Sequence, residues 1–222
     1  MPARRKNSPP RSQASETDRS VRDSGDPSSV RIVGGTHRGR KLEYSGDIRV
    51  RPMKDRTREA VFNLLGPVVK GSYVLDLFSG TGVVGLESIS RGASGATLLE
   101  WHVPTSKLIR SNAERLQMQD RVRIVAGDAF HWGKRPEELI PAEAREFPWV
   151  IFCCPPYAYF TERLPAIREL LEVLREKAPV GSQLVVEAEE PFDFATLWEG
   201  DWRVRNYLPA IVGILELGPD QF

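Results

Sequence analysis

Residues Tyr73–Glu87 read YVLDLFSGTGVVGLE. A short apolar run, Tyr73-Val74-Leu75, passes through Asp76 into a glycine-rich turn and then into a helix-like segment, Val83–Ser90. Strand, tight turn and helix in that order open a doubly wound α/β domain. Gly80, Gly82 and Gly85 stand in G-x-G-x-x-G register, a spacing that lets the backbone turn sharply, approach a ligand and pack the helix on the sheet. A flat, polar ligand is expected across this turn.

Dinucleotide enzymes share the spacing, with a pyrophosphate at the helix N-terminus. Two acids point elsewhere. Asp76, directly before the loop, would repel a pyrophosphate but accept hydrogen bonds from a cationic amino-acid group. Glu100 closes the next apolar run, Ala96-Thr97-Leu98-Leu99, twenty residues after Gly80, the distance at which an acid receives ribose hydroxyls. An acid at each strand end, with no phosphate to bind, suits S-adenosyl-L-methionine. Asp76 as a capping or turn residue is the competing interpretation.

At 222 residues the chain is long enough for one sizeable domain and a tail, and too short for two large domains. Its net charge is +1, so a polyanionic partner has to be met by a local patch. Cys153 and Cys154, the only cysteines, are adjacent, which is neither a disulfide framework nor a C-x-x-C pair and indicates a reducing compartment. No apolar run reaches bilayer length, and Met1–Arg22 lacks the apolar core of a signal peptide. A cytoplasmic protein without membrane contact or bound metal is expected.

Residues 1–29 are rich in Pro, Ser, Arg and Asp and read as a disordered tail. Residues 30–66 follow as a basic hairpin and helix. Arg31-Ile32-Val33, Gly34-Gly35 and the run to Leu42 and Tyr44 predict a short β-hairpin or bent ribbon. Between Arg31 and Arg58, nine Lys or Arg stand against three acids, Glu43, Asp47 and Asp55, a surplus that attracts phosphates. Arg31, Arg38, Arg40, Lys41, Arg51 and Arg56 are the candidate RNA contacts. A solvated charged hairpin is the alternative, against which the paired glycines count because they let backbone approach a partner. Asp55 is a plausible N-cap for a helix Arg56–Leu65 stopped by Gly66-Pro67, which would bring Arg56 or Arg58 to the rim of the cofactor site.

Residues 67–222 form the cofactor-binding domain. Thr97–Glu100 is a second strand, Pro104–Leu116 a helix with Leu108, Ile109 and Leu116 toward the sheet, and Val122–Ala126 a third strand. It ends in Gly127-Asp128-Ala129, where a carboxylate and backbone N–H groups either read an adenine edge or simply make a turn. Residues 130–148 look like a short helix and a loop. Phe147–Tyr157, FPWVIFCCPPY, is the second informative run. Val150–Cys153 predicts a buried strand, and Cys154-Pro155-Pro156-Tyr157 follows where the fourth parallel strand delivers residues to the carboxyl edge. Consecutive prolines hold the chain extended with free carbonyls, and Tyr157 projects as a platform for a flat base or else is a buried structural tyrosine. Thr161–Lys177 is a helix with a core leucine stripe, Leu184–Val186 a fifth strand ending in Glu187, and Trp202–Leu208 with Ile211–Leu217 an antiparallel pair closing the sheet.

Both runs together resemble the class I S-adenosylmethionine-dependent methyltransferases and, more narrowly, the RsmD-like family that methylates the exocyclic N2 of a guanine in small-subunit rRNA. The resemblance covers about Arg31 to Leu217. It rests on Arg31-Ile32-Val33-Gly34-Gly35 with Arg38-Gly39-Arg40, the run from Arg51-Pro52 to Arg58-Glu59, Asp76-Leu77-Phe78-Ser79-Gly80-Thr81-Gly82 with Gly85-Leu86-Glu87, and Ser90-Arg91-Gly92-Ala93. It implies a seven-stranded, mostly parallel Rossmann-like sheet. Cofactor contacts are implied at Asp76, Phe78, Gly80, Gly82, Glu100, Asp128 and Ala129. The implied partner is small-subunit rRNA or the assembling small subunit, met by a monomer.

The family's (D/N)-P-P-(Y/F) motif is Cys154, Pro155, Pro156 and Tyr157 here, with cysteine where Asp or Asn is expected. A guanine amine is a poor nucleophile because its lone pair is delocalised into the ring. Acceptors on its protons hold it in line and favour the tetrahedral geometry that frees the pair. A thiol is a weak acceptor, and losing one good acceptor costs on the order of a hundredfold in rate by analogy with oxyanion-hole deletions. Three functions remain open: an rRNA guanine-N2 methyltransferase relying on backbone carbonyls, a cofactor- and RNA-binding ribosome-assembly factor with weak or no transferase activity, and a nicotinamide-dependent oxidoreductase. Cys154 as a covalent nucleophile lacks a partner base in the sequence.

Overall fold

The computed structural model describes residues 30–47 and 50–218; the expected tail lies outside them. Val30–Arg31 (β1) and Lys41–Leu42 (β2) pair antiparallel, the ribbon that the sequence predicts. Asp55–Leu65 (α1) follows. Asp55 is the first residue of this helix and not its cap. The N-cap position is Lys54, whose side chain has no acceptor and makes no capping bond, while the Asp55 carboxylate is drawn into ion pairs with Arg31 at 2.7 Å and Arg58 at 2.9 Å.

The other strands are Tyr73–Asp76 (β3), Gly95–Glu100 (β4), Val122–Ala126 (β5), Trp149–Cys153 (β6), Ser182–Glu189 (β7), Arg203–Tyr207 (β8) and Ala210–Leu217 (β9). They form one sheet in the order β5-β4-β3-β6-β7-β9-β8. β5 through β7 are parallel, while β9 lies antiparallel to both β7 and β8. Strand order reverses at β3, so the crevice at the carboxyl ends of β3, β4 and β6 is the topological switch point where doubly wound folds bind ligands. β7 is longer than Leu184–Val186. It pairs with β9 through all eight of its residues, and Ser182 is held by the Trp149 N–H at 2.8 Å.

Alternation along the strands sends side chains to two apolar layers. Val74, Leu98, Phe152 and Val185 pack with Val61 and Phe62 of α1, Leu86 of Val83–Ser90 (α2) and Ile109 of Val103–Arg115 (α3). Ile32 of the amino-terminal ribbon joins the same layer. On the opposite face Leu75, Ile151 and Val186 meet Phe130 of Ala129–Trp132 (α4), Leu139 of Pro136–Leu139 (α5) and the stripe Ile167, Leu170, Leu171 and Leu174 of Leu164–Lys177 (α7).

Two helix expectations need correction. In α3 the inward face is Thr105, Ser106, Ile109, Asn112 and Ala113, and Leu108 is only half-buried. The expected helix Thr161–Lys177 is broken into Tyr159–Glu162 (α6) and α7 at Arg163, whose φ of −133° and ψ of 21° leave the helical region. Pro165 sits in the first turn of α7, where a missing N–H is harmless to a starting helix but not to a continuing one. No helix among the described residues is long and apolar enough to cross a membrane.

Candidate active site

The glycine turn is built by its own backbone. Gly80 and Gly82 adopt φ of +52° and +75°, the left-handed region that a residue with a Cβ enters at a cost. The Gly82 N–H closes the turn on the Ser79 carbonyl at 2.7 Å, and the Ser79 hydroxyl donates to the Asp76 carbonyl at 2.8 Å. The two acids then hold the turn from either side. Asp76 accepts the Gly85 N–H at 3.2 Å, while Glu100 accepts the Gly80 N–H at 2.9 Å and the His102 N–H at 2.8 Å.

The glycines have different duties. A Cβ on Gly82 would lie 2.6 Å from Ile109, and one on Gly85 would lie 2.6 Å from Leu98; both are packing positions between α2 and the layer beneath it. Gly80 alone of the three lies on the wall of a cavity of about 610 Å³ at the switch point, a volume within the range of small-molecule sites.

That wall collects residues that are remote in sequence. Phe78, Gly80, Glu100, Asp128 and Ala129 come from the β3, β4 and β5 ends, and Cys154, Pro155, Pro156 and Tyr157 from the end of β6. Arg51 reaches in from the segment before α1, with its guanidinium 5.8 Å from the Tyr157 ring centre. Asp76 is buried beneath the turn and is not among the wall residues; nor is Gly82. Asp128 has the turn character, capping α4 through the Phe130 N–H at 2.9 Å, and it also lies exposed on the cavity wall.

The site is acidic and desolvated. Burial, reinforced by Glu100 and opposed by the Gly85 and Ser79 hydrogen bonds, pushes the Asp76 pKa up to about 7. Burial raises Glu100 as well, against the His102 and Gly80 N–H groups. The Cys154 thiol is raised well above its usual value by burial and then by Glu187 and Asp76, which keeps it protonated and unfit as a thiolate nucleophile. The Tyr157 hydroxyl donates to Glu187 Oε1 at 3.0 Å, so this tyrosine has a structural partner as well as a face on the cavity. Pro156 lends its carbonyl to the Tyr159 N–H at 2.9 Å; the Pro155 carbonyl accepts no hydrogen bond from the described residues.

The wall fits a sulfonium cofactor better than a pyrophosphate. Its glycine turn is flanked by carboxylates and carries no cation, the Thr81 hydroxyl within the turn has no partner, and the floor offers Leu77, Phe78, Leu99 and Phe130 to a flat base. A pyrophosphate here would face Glu100 directly.

The basic run divides. Arg38, Arg40, Lys41, Arg51 and Arg56 are exposed, and Arg31 is half engaged with Asp55. Arg58 does not reach the rim. It is fully buried, donating to Glu87 at 2.7 Å, to Asp55, and to the Met53 and Arg31 carbonyls. Gly34 and Gly35 also serve the fold. A Cβ on Gly34 would lie 2.1 Å from the Arg91 guanidinium, and one on Gly35, whose φ is +75°, would lie 1.9 Å from the Ser90 carbonyl. The close approach these glycines permit is to α2, not to an external partner.

The wall also holds residues given no site role in the sequence reading: Glu187, there only the end of a strand, Trp101, and the group Phe130, Tyr159 and Arg163, whose guanidinium lies 4.0 Å from the Phe130 ring centre. Glu187 carried a legible signal, an acid late in an apolar strand, the same one that marked Glu100. Arg163 carried none, because its place depends on the break between α6 and α7.

The chain matches the family described as Conserved hypothetical protein 95 over residues 30–201. Ribosomal RNA small subunit methyltransferase D of Escherichia coli (strain K12) is 42% identical over 101 residues, 46% of this chain and 50% of that protein. The protein of the same name from Buchnera aphidicola is 34% identical over 131 residues, 59% of this chain and 64% of that one. The chain thus spans about half to two thirds of the length of these relatives. Among solved structures, a hypothetical protein from Thermus thermophilus aligns with a TM-score of 0.67 and 28% identity, over 84% of this chain and 99% of that one.

Proposed function

The chain belongs to the family described as Conserved hypothetical protein 95, and on that footing we propose that it is an S-adenosyl-L-methionine-dependent methyltransferase acting on the exocyclic N2 of a guanine in small-subunit rRNA. One observation carries the reading: Gly80 of the glycine turn and Glu100 at the end of β4 share a single cavity with Cys154-Pro155-Pro156-Tyr157. The names of the E. coli and Buchnera relatives support the rRNA part.

When bound, the cofactor supplies an electrophilic methyl group on a sulfonium. Glu100 takes its ribose hydroxyls with lone pairs not used by Gly80 and His102. Phe78, Asp128 and Ala129 bound the adenine, Gly80 leaves room for the backbone to come close, and Asp76 and Gly82 act from below by fixing the turn. Tyr157 stacks on the target base, and the Pro155 carbonyl accepts a hydrogen bond from the amine and so holds the nitrogen in line. Arg51, placed over Tyr157, marks where the RNA backbone enters, and residues 30–66 present Arg38, Arg40, Lys41 and Arg56 to it. The protein is taken to work as a cytoplasmic monomer on rRNA or the assembling subunit.

A second reading, an assembly factor with little transferase activity, is favoured by the protonated Cys154 thiol in the acceptor position. Tritiated-methyl transfer to undermethylated small subunits separates the two. Wild-type turnover supports the enzyme, whereas an inert wild type rescued by Cys154→Asn supports the assembly factor. A rise in melting temperature with NAD and none with S-adenosylhomocysteine would remove both.

A further inference from the structure

β7 is apolar through Leu184, Val185, Val186 and Ala188, all at most 1% exposed, and Glu187 interrupts that run with a carboxylate. Such a group is costly to desolvate without a cation, and among the described residues Glu187 forms no ion pair. Its one side-chain partner is the Tyr157 hydroxyl, on Oε1. Oε2 accepts no hydrogen bond from the described residues, and the residue stands on the cavity wall. Register then places it beside the anomalous motif position: Cys153 pairs with Val186, so Cys154, the first residue past β6, stands beside Glu187 within β7. The groups facing Glu187 are Tyr157 and Cys154 from the segment after β6 and Arg51 from the segment before α1. Val212 opposite it on β9 is apolar. Burial raises the Glu187 pKa, while the Tyr157 hydroxyl and Arg51 hold it down.

We propose that Glu187 is a catalytic residue: its free Oε2 accepts a hydrogen of the substrate's exocyclic amine and takes the proton that the amine loses, supplying from β7 the acceptor that Cys154 does not provide. The inference rests on the methyltransferase reading above. The balance closes on this chain's own group. As the amine nitrogen forms its N–C bond, the donor's S–C bond breaks with its electron pair left on sulfur, and the surplus N–H proton passes to the carboxylate. The Pro155 carbonyl, free on the same wall, receives the amine's other hydrogen. Two acceptors bracketing one nitrogen also select for a substrate that has an amine.

The test uses the full chain with undermethylated small subunits. Glu187→Ala should lower kcat about a hundredfold, as deletion of one transition-state hydrogen-bonding group does elsewhere, with KM for the methyl donor and the melting-temperature rise with S-adenosylhomocysteine unchanged. Adding Cys154→Asn to that variant should restore at least tenfold. Glu187→Gln, nearly isosteric, keeps an acceptor but takes no proton, so the acidic limb of its kcat profile attributable to Glu187 should vanish. A binding measurement is independent of turnover: with S-adenosylhomocysteine bound, calorimetry should find guanosine monophosphate tighter than inosine monophosphate, which lacks the amine, and Glu187→Ala should narrow that difference to what the Pro155 carbonyl alone supplies. A kcat for Glu187→Ala within threefold of wild type overturns the proposal, as does equal nucleotide affinity in the wild type. Should Glu187→Ala not fold, an unchanged rate and pH profile in Glu187→Gln overturns it. An inert wild type that still binds S-adenosylhomocysteine counts instead against the methyltransferase reading.

Discussion

Asp76 is a carboxylate that the fold encloses at a cost. With its pKa pushed up to about 7 by burial, the folded chain retains a proton that the unfolded chain, with an ordinary aspartate at about 3.9, has released. Between those two values the native state binds more protons than the unfolded state, so stability falls as pH rises through this window and stays at the lower level above it. Asp76→Asn removes the penalty while its amide oxygen still accepts the Gly85 N–H. Urea unfolding should therefore find the variant more stable than wild type at about pH 8 by up to a few kcal/mol, with a much smaller gap near pH 5. An equal gap at both pH values would mean that Asp76 is not the titrating group. The melting-temperature response to S-adenosylhomocysteine should survive in this variant, because the turn keeps its bond from the Gly85 N–H and Asp76 is not on the cavity wall. The sequence made this residue visible through its position before the turn. Its placement beneath the turn was not visible, because alternation along a strand sends Leu75 and Leu77 to one layer but does not say how far below the surface the strand ends.

The ribbon, α1 and α2 are joined by one buried network more than by apolar contact alone. Arg58 Nε meets Glu87 at 2.7 Å with both side chains fully buried, and Glu87 also accepts the Val33 N–H at 3.2 Å and pairs with Arg91 at 2.8 Å. Removing Arg58 leaves the buried Glu87 carboxylate with Arg91 and the Val33 N–H only, and breaking a buried pair costs up to about 3–5 kcal/mol. Arg58→Met should lose that much in denaturant unfolding. In native-state hydrogen exchange the ribbon bonds Ile32 N–H to Arg40 and Gly39 N–H to Ile32 should open before the β6 amides do. A loss under about 1 kcal/mol would show that the network is dispensable. Here lies the physical reason why the basic run was misread in part. A count of charges cannot tell an arginine that faces solvent from one that finds a carboxylate twenty-nine residues away, and the paired glycines signal close approach without saying to what. Regular elements were easier: β5 falls at its expected Val122–Ala126 and α2 at Val83–Ser90, since apolar periodicity and flanking turns are local. The break at Arg163 and the reach of β7 are set by neighbours across the fold.

Over its full length the chain carries only +1, so any attraction for RNA has to come from how the fold distributes its charge. Folding withdraws Arg58 and partly Arg31 from the basic run and pairs Arg115 with Glu43 at 2.7 Å. It leaves Arg38, Arg40, Lys41, Lys54 and Arg56 exposed on the amino-terminal segment and carries Arg51 to the cavity. The topology that assembles the cavity was legible from the glycine turn and the second apolar run, because a doubly wound sheet puts every parallel strand's carboxyl end on one edge. The face on which the ribbon's cations lie was not, since it follows from Ile32 and Leu42 docking on the layer above β3. If these cations contact phosphates, affinity for small-subunit RNA should fall with salt at a slope of roughly 0.7–0.9 per contact. Replacing Arg38, Arg40 and Lys41 together by Ala should then reduce the slope of log K against log salt by about 2–3, with kcat at saturating RNA and the S-adenosylhomocysteine thermal shift untouched. A slope unchanged in the triple variant would remove the ribbon from the RNA interface and leave Arg51 as the cation nearest the substrate, because the cavity would then draw its RNA through contacts at its own rim.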